Sequence, residues 1–146
     1  MSVYAESSAV LAWLLDEDAA SLVRQTLSAA SMVVASDLTL IECDRVLHRA
    51  IALGELTEAE AADRRAHLAA AAAHWHVLRI GSRIVERARQ PFPGDPIRTL
   101  DAIHLSAALV ARTAIAGLAV LSLDDRIRGS ARRLGLTVVP SPVTAT

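Results

Sequence analysis

The run Leu118–Leu123, LAVLSL, carries no charge and is bounded by Gly117 on one side and by Asp124 and Asp125 on the other. A short uncharged run between a turn residue and a pair of acids is the pattern of a strand covered on both faces, and such strands belong to parallel sheets flanked by helices. Upstream, from Thr99, apolar residues recur at helical spacing. Thr99 is the expected N-cap, and Leu100, Ile103, Leu105 and Leu109 are expected to bury part of their surface. Asp101 then falls in the first helical turn, near open backbone N–H groups. One carboxylate opens a helix and another closes a buried strand. Both can meet at the carboxyl edge of a sheet, where open α/β sheets bind ligands.

The rest of the chain repeats this alternation. Further strands are expected at Ser2–Ala5, Met32–Ala35, Val77–Ile80 and Thr137–Val139. Helices are expected from Ala9 to Leu15 behind a Ser7 or Ser8 cap, from Glu17 to Ala29, and from a Ser36 or Asp37 cap to Leu53. Gly54 closes the third helix, and Thr57 and Glu60 form a capping box opening a fourth, to about Ala73. Ser82–Arg89 is a short helix stopped by the Pro91–Pro96 loop, and Asp125–Leu134 is the last. Strands alternating with helices predict a parallel sheet covered on both faces. Residues 1–146 are expected to form one domain, with 140–146 a flexible tail.

Composition narrows the class. Aromatic residues are 3% of the 146, so the core must be built from Ala, Leu, Val and Ile. The single cysteine, Cys43, excludes an internal disulfide and fits a reducing cytoplasm. The start of the chain shows no basic leader, so no signal peptide is expected. Residues 105–123 are apolar, but Arg112 and Gly117 interrupt them, which favours a buried helix and strand over a membrane span. Net charge is −1, so the chain as a whole does not announce nucleic-acid binding. All fifteen basic residues are Arg, the side chain suited to bidentate phosphate contacts, although a coding bias toward Ala and Arg is the better explanation.

Four carboxylates fall at element junctions: Glu6 after the first strand, Glu42 one turn into the third helix, Asp101, and Asp124. Gathered together they would raise one another's pKa. The usual remedy is a hard divalent cation, and carboxylates with water suit Mg²⁺ or Mn²⁺. Bound metal activates water and holds phosphate oxygens, so the chemistry indicated is phosphodiester hydrolysis. A P-loop is excluded by the absence of its motif. An aspartyl-nucleophile phosphatase is disfavoured because Glu6-Ser7-Ser8 lacks the required Asp.

Four segments, Tyr4–Val10 (YAESSAV), Ser36–Cys43 (SDLTLIEC), Arg98–Leu109 (RTLDAIHLSAAL) and Val120–Leu136 (VLSLDDRIRGSARRLGL), resemble PIN-domain ribonucleases of the VapC type, the toxins of bacterial toxin–antitoxin pairs. The resemblance implies a three-layer α/β/α fold with a sheet of four to five strands, Mg²⁺-dependent endoribonuclease activity, a homodimer and a small neutralising antitoxin. It assigns metal-site roles to Glu6, Glu42, Asp101 and Asp124, and auxiliary positions to Ser8 and Ser122, with Asp125 and Arg126 beside them. The antitoxin is expected on an apolar groove of the early helices. The family's first acid is usually Asp, and here it is Glu6. The extra methylene leaves a second reading, a catalytically weakened PIN-fold module that binds RNA or protein. If the site is built for Asp, Glu6→Asp should keep or raise activity.

Arg126, Arg128, Arg132 and Arg133 follow Asp124, Arg45 and Arg49 follow Glu42, and Arg98 precedes Asp101. They are candidates for a phosphate-binding rim, Arg126 and Arg128 foremost, against a background of surface ion pairs. His104 lies on the face of Asp101 and is expected to be a buried or supporting residue rather than a ligand. His74 and His76 read as boundary residues, Cys43 as a structural thiol, and Trp13 and Trp75 as packing residues.

Overall fold

The computed structural model describes residues 1–141. The strands are β1 (Ser2–Ala5), β2 (Met32–Ser36), β3 (His76–Leu78), β4 (Ala119–Leu121) and β5 (Thr137–Val139). They pair in parallel in the order β3-β2-β1-β4-β5. Alternate residues of each strand enter different cores, as a period of two requires. Tyr4, Val34, Val120 and Val138 pack on one face, and Val3, Ala5, Val33, Ala119 and Leu121 on the other. Both faces are thus apolar, which is why LAVLSL carries no charge.

Helices α1 (Ser7–Leu14), α2 (Ala20–Ala29), α3 (Asp37–Ala52) and α4 (Glu58–Ala72) connect β1 to β2 and β2 to β3. They supply Val10, Val23, Cys43 and Leu68 to the Val3 face. Helices α5 (Ser82–Ala88), α6 (Thr99–Ala114) and α7 (Asp125–Arg133) lie on the Tyr4 face through Ile84, Leu105 and Ile127. The change of face has a topological cause. Strand addition runs one way from β1 to β3, then jumps back across β1 to β4 and β5. Right-handed crossovers taken in the opposite direction place their helices on the opposite face. The result is the three-layer α/β/α sandwich with five strands. The reversal between β1 and β4 leaves a crevice at their carboxyl ends.

Several expected boundaries move. The second helix begins at Ala20 rather than Glu17. α1 ends with Asp16 at φ 54° and a Glu17 N–H to Ala12 carbonyl bond of 2.9 Å, a left-handed cap that needs a few residues before the chain can restart. The N-cap of α6 is Arg98 and not Thr99, and it makes no side-chain capping bond. Leu100 is 47% exposed, because it sits about 140° around the helix from Leu105, which is buried. The Leu118–Leu123 strand shortens to β4, since Ser122 onward turns into the crevice. Gly54, with φ 72°, ends α3 as expected, and Thr57 and Glu60 form the capping box of α4. The expected tail from Pro140 lies, beyond Ser141, outside the described residues. Among the described residues, no helix is long and apolar enough to cross a membrane.

Candidate active site

Glu6 and Ser122 emerge from neighbouring central strands, joined by a Glu6 N–H to Leu121 carbonyl bond of 3.0 Å. Glu6 is 4% exposed and is the N-cap of α1. Its Oε1 accepts from the Ser8 N–H at 3.1 Å, as an N-cap acceptor should. Its Oε2 accepts from the Ser8 hydroxyl and, at 2.7 Å, from the Ser122 hydroxyl. Those hydroxyls are themselves fixed. Ser8 Oγ accepts from the Leu123 N–H at 2.9 Å, and Ser122 Oγ from the Asp124 N–H at 3.1 Å. The longer arm of Glu6 is what lets one carboxylate reach both its own helix and β4.

Glu42 comes from α3 and meets His104 from α6. Its Oε1 accepts from His104 Nε2 and, at 2.7 Å, from Ser7 Oγ. A carboxylate can only accept here, so Nε2 carries the proton. His104 Nδ1 then lies 2.8 Å from the Tyr4 hydroxyl, which is 2.8 Å from Ser36 Oγ. Burial, above all, holds the Tyr4 phenol far above its ordinary pKa, so it stays protonated and can donate to Nδ1. Burial alone would push Glu42 up as well. The hydrogen bonds from His104 and Ser7, with the positive charge of Arg98, outweigh it and hold the carboxyl below its usual range.

Asp101 and Asp124 share Arg98. Its guanidinium is 3.0 Å from Asp101 Oδ2 and 3.5 Å from Asp124 Oδ2. Asp124 is also the N-cap of α7, and its Oδ1 accepts from Arg126 and Ile127 N–H groups at 2.9 and 3.1 Å. The four acids therefore stand at the carboxyl edge of the sheet in two linked sets. Glu6 and Glu42 group with His104, and Asp101 groups with Asp124 around Arg98. Ser122 joins the sets through Glu6 and the Asp124 backbone. A divalent cation is the usual remedy for such a cluster, but the protein supplies donors of its own. Hydroxyls from Ser8 and Ser122 satisfy Glu6, Ser7 and His104 satisfy Glu42, and Arg98 bridges Asp101 and Asp124, so each acid has partners from the protein itself.

The same acids still fit a divalent ion. One ligand atom each from Glu6, Glu42 and His104 lie within 4.8 Å of one another. Glu42 Oε2 has no hydrogen bond from the described residues, and the side chain is 28% exposed, open to solvent. Two carboxylates suit Mg²⁺ or Mn²⁺, and His104 could join them only with Nε2 unprotonated and Nδ1 donating to the Tyr4 hydroxyl instead. His104 is the buried, supporting histidine expected, here on Glu42, while Ser7, expected only as a helix cap, donates to the same carboxylate. The signal was present in the spacing, since His104 lies one turn after Asp101 and Ser7 directly after Glu6.

Other candidates separate. Asp125 is exposed at the first turn of α7 and makes no side-chain hydrogen bond to the four acids among the described residues. Arg128 is not a phosphate ligand in waiting: it is buried, and its guanidinium donates to the Ser122 and Pro140 carbonyls at 2.8 and 2.7 Å, bracing the end of β4. Arg126 lines a polar cavity beside Asp101. Cys43 is fully buried, and burial pushes its thiol up to about 12.

Residues 3–133 match the PIN domain family model. No curated protein sequence matches the chain. Among solved structures, the fold is similar to a chain of VapBC2 from Rickettsia felis, crystallised with a promoter DNA fragment, at 12% identity and TM-score 0.62, over 94% of this chain and 97% of that one. It is similar to a chain of a Klebsiella pneumoniae toxin–antitoxin complex at 18% identity and TM-score 0.62, over 94% and 96%. It is also similar to Mycobacterium tuberculosis VapC20, described as a Sarcin-Ricin loop cleaving toxin, at 14% identity and TM-score 0.60, over 87% and 93%. At such identities these likenesses speak to the fold, while the family model, spanning most of the length, decides membership: the chain belongs to the PIN domain family.

Proposed function

We propose that this protein is a VapC-type toxin, a Mg²⁺-dependent endoribonuclease that hydrolyses RNA phosphodiesters and is held inactive by a small antitoxin. The observation that carries the reading is the meeting of Glu6, Glu42 and His104, with Asp101 and Asp124 alongside, at the β1/β4 switch point of a PIN fold. A divalent ion held by these acids would activate water and neutralise phosphate oxygens. Ser8 and Ser122 orient the Glu6 carboxylate, and Ser7 and His104 orient that of Glu42. Tyr4 fixes the imidazole from behind. Arg98 is placed to leave its acids for an incoming phosphate, since it is 56% exposed and swings on a flexible stem.

The partners follow from the same reading. A cavity of about 710 Å³ along α1, α2 and α4, lined by Trp13, Leu14, Arg24, Ala70 and Ala71 among others, is a seat of the kind expected for an antitoxin on the early helices. A homodimer in the cytoplasm completes the proposal. One observation favours the second reading, an RNA- or protein-binding module with little turnover: Arg98 already occupies Asp101 and Asp124. Cleavage of RNA by the purified protein decides between them. Activity should require Mg²⁺ or Mn²⁺, stop with EDTA, and fall at least about 10²-fold in Asp101→Ala and in Glu42→Gln. RNA binding without metal-dependent cleavage would leave the second reading standing.

A further inference from the structure

A second polar cavity, of about 260 Å³, opens between the loop after α5, the start of α6 and the exposed side of α7. Its walls include Gly94, Arg98, Asp101, Arg126, Ser130 and Arg133. Arg126, Ser130 and Arg133 are spaced four and three apart, so they form one stripe on α7. Three guanidiniums thus face the one carboxylate of Asp101, which Arg98 already neutralises. Neither Arg126 nor Arg133 forms an ion pair among the described residues. Ser130, which is 6% exposed, lines the recess between them. Two uncompensated guanidiniums with a serine between them in one recess make a site for an anion with several oxygens.

The recess is built and not incidental. Gly94 has φ 84°, and a Cβ there would stand 2.5 Å from Arg133 Nη1 and 3.0 Å from its Cδ. Only glycine lets the loop both turn and pass this close to the Arg133 stem. The Asp101 wall is shared with the candidate acidic site, so a ligand in the recess borders whatever those acids act upon.

We infer that this cavity holds a backbone phosphate of the substrate strand, next to the phosphate at which the strand is cut. The inference deepens the nuclease reading and rests on it. Its role is to set the register of the strand, with Arg126 and Arg133 gripping and Ser130 donating.

Binding of a fluorescent, uncleavable 2′-O-methyl RNA in EDTA tests it apart from catalysis. Arg133→Gln should weaken binding by tenfold or more and lower the slope of log K against log salt by about 0.7, the value for one phosphate contact on a single strand. Arg132→Gln, on the same exposed helix end but outside the cavity, removes the same charge and should change affinity less than twofold. Gly94→Ala keeps every charge but displaces Arg133, and should weaken binding as Arg133→Gln does. Replacing the adjacent phosphate by a methylphosphonate should cost the wild type as much and Arg133→Gln nothing further, which separates a strand phosphate from a free one. Equal losses in Arg132→Gln and Arg133→Gln, or additive losses with the methylphosphonate, overturn the inference. If the wild type cleaves no RNA with metal present, the nuclease reading fails while these binding results stand by themselves.

Discussion

Glu6 shows how one methylene changes the reading of a site. By sequence it is a departure from the family's usual Asp, one that Glu6→Asp is expected to tolerate or repair. In the structure its carboxylate rests in a cradle of three donors from Ser8 and Ser122. An Asp would retract by about one C–C bond, 1.5 Å, keep the N-cap bond to Ser8 and lose Ser122. The expectation therefore reverses: Glu6→Asp should lower turnover by about ten- to a hundredfold, measured as kcat on a cleavable RNA, and unchanged turnover would return the site to an Asp design. Cys43 offers a second test at this scale. With its pKa pushed up to about 12 by burial, the native thiol should stay inert to thiol reagents at pH 8–9 and react only as the chain unfolds, followed by absorbance with a thiol-exchange reagent. A raised folded pKa stabilises fully below the unfolded value, about 8.5, and that stabilisation fades as pH climbs toward 12. Cys43→Ala should flatten this alkaline loss.

At the scale of elements, α6 carries most of the chemistry and one apparent flaw. It brings Asp101 and His104 to the site and buries Leu105, Ala107, Ala108 and Ala111 against the sheet. Between them Ser106 is fully buried, and its hydroxyl has no partner among the described residues. An unpaired buried hydroxyl costs about 1–3 kcal/mol, and alanine is the better helix former. Ser106→Ala should thus stabilise the protein by about 1 kcal/mol in urea titration without changing cleavage; destabilisation would mean the hydroxyl has a partner after all. Helix α7 works differently. Its N-terminus holds Asp124, its inner face buries Ile127 and Ala131, and its arginines divide between bracing (Arg128) and lining a recess (Arg126, Arg133).

For the whole molecule, the order β3-β2-β1-β4-β5 matters most. It sends four helices to one face and three to the other, and it opens the crevice where Glu6 and Asp124 emerge. The proposed antitoxin seat lies among the first four helices, away from α6 and α7. Ala70 is exposed at its edge. Ala70→Arg should fill the seat and weaken binding of the proposed antitoxin at least tenfold by calorimetry, with melting temperature and RNA cleavage unchanged. Unaltered affinity would move the antitoxin elsewhere.

Periodicity settled the alternation of strands and helices, and with it a parallel sheet covered on both faces, while the strand order came only from the tertiary structure. Uncharged runs such as LAVLSL read as strands covered on both faces, of which Ala119–Leu121 forms β4, and capping signals at Ser36, Thr57 and Gly54 located helix ends to within a residue or two. The acids were legible because charges at strand ends and in apolar helical turns stand out against their surroundings. Which groups balance those acids was not legible, because the partners are far apart along the chain. His104 to Glu42 spans 62 positions and Ser122 to Glu6 spans 116. Only packing of α3, α6 and β4 around β1 brings them within bonding distance, and only that packing distinguishes Arg128, buried on carbonyls, from Arg126, lining a cavity two residues away.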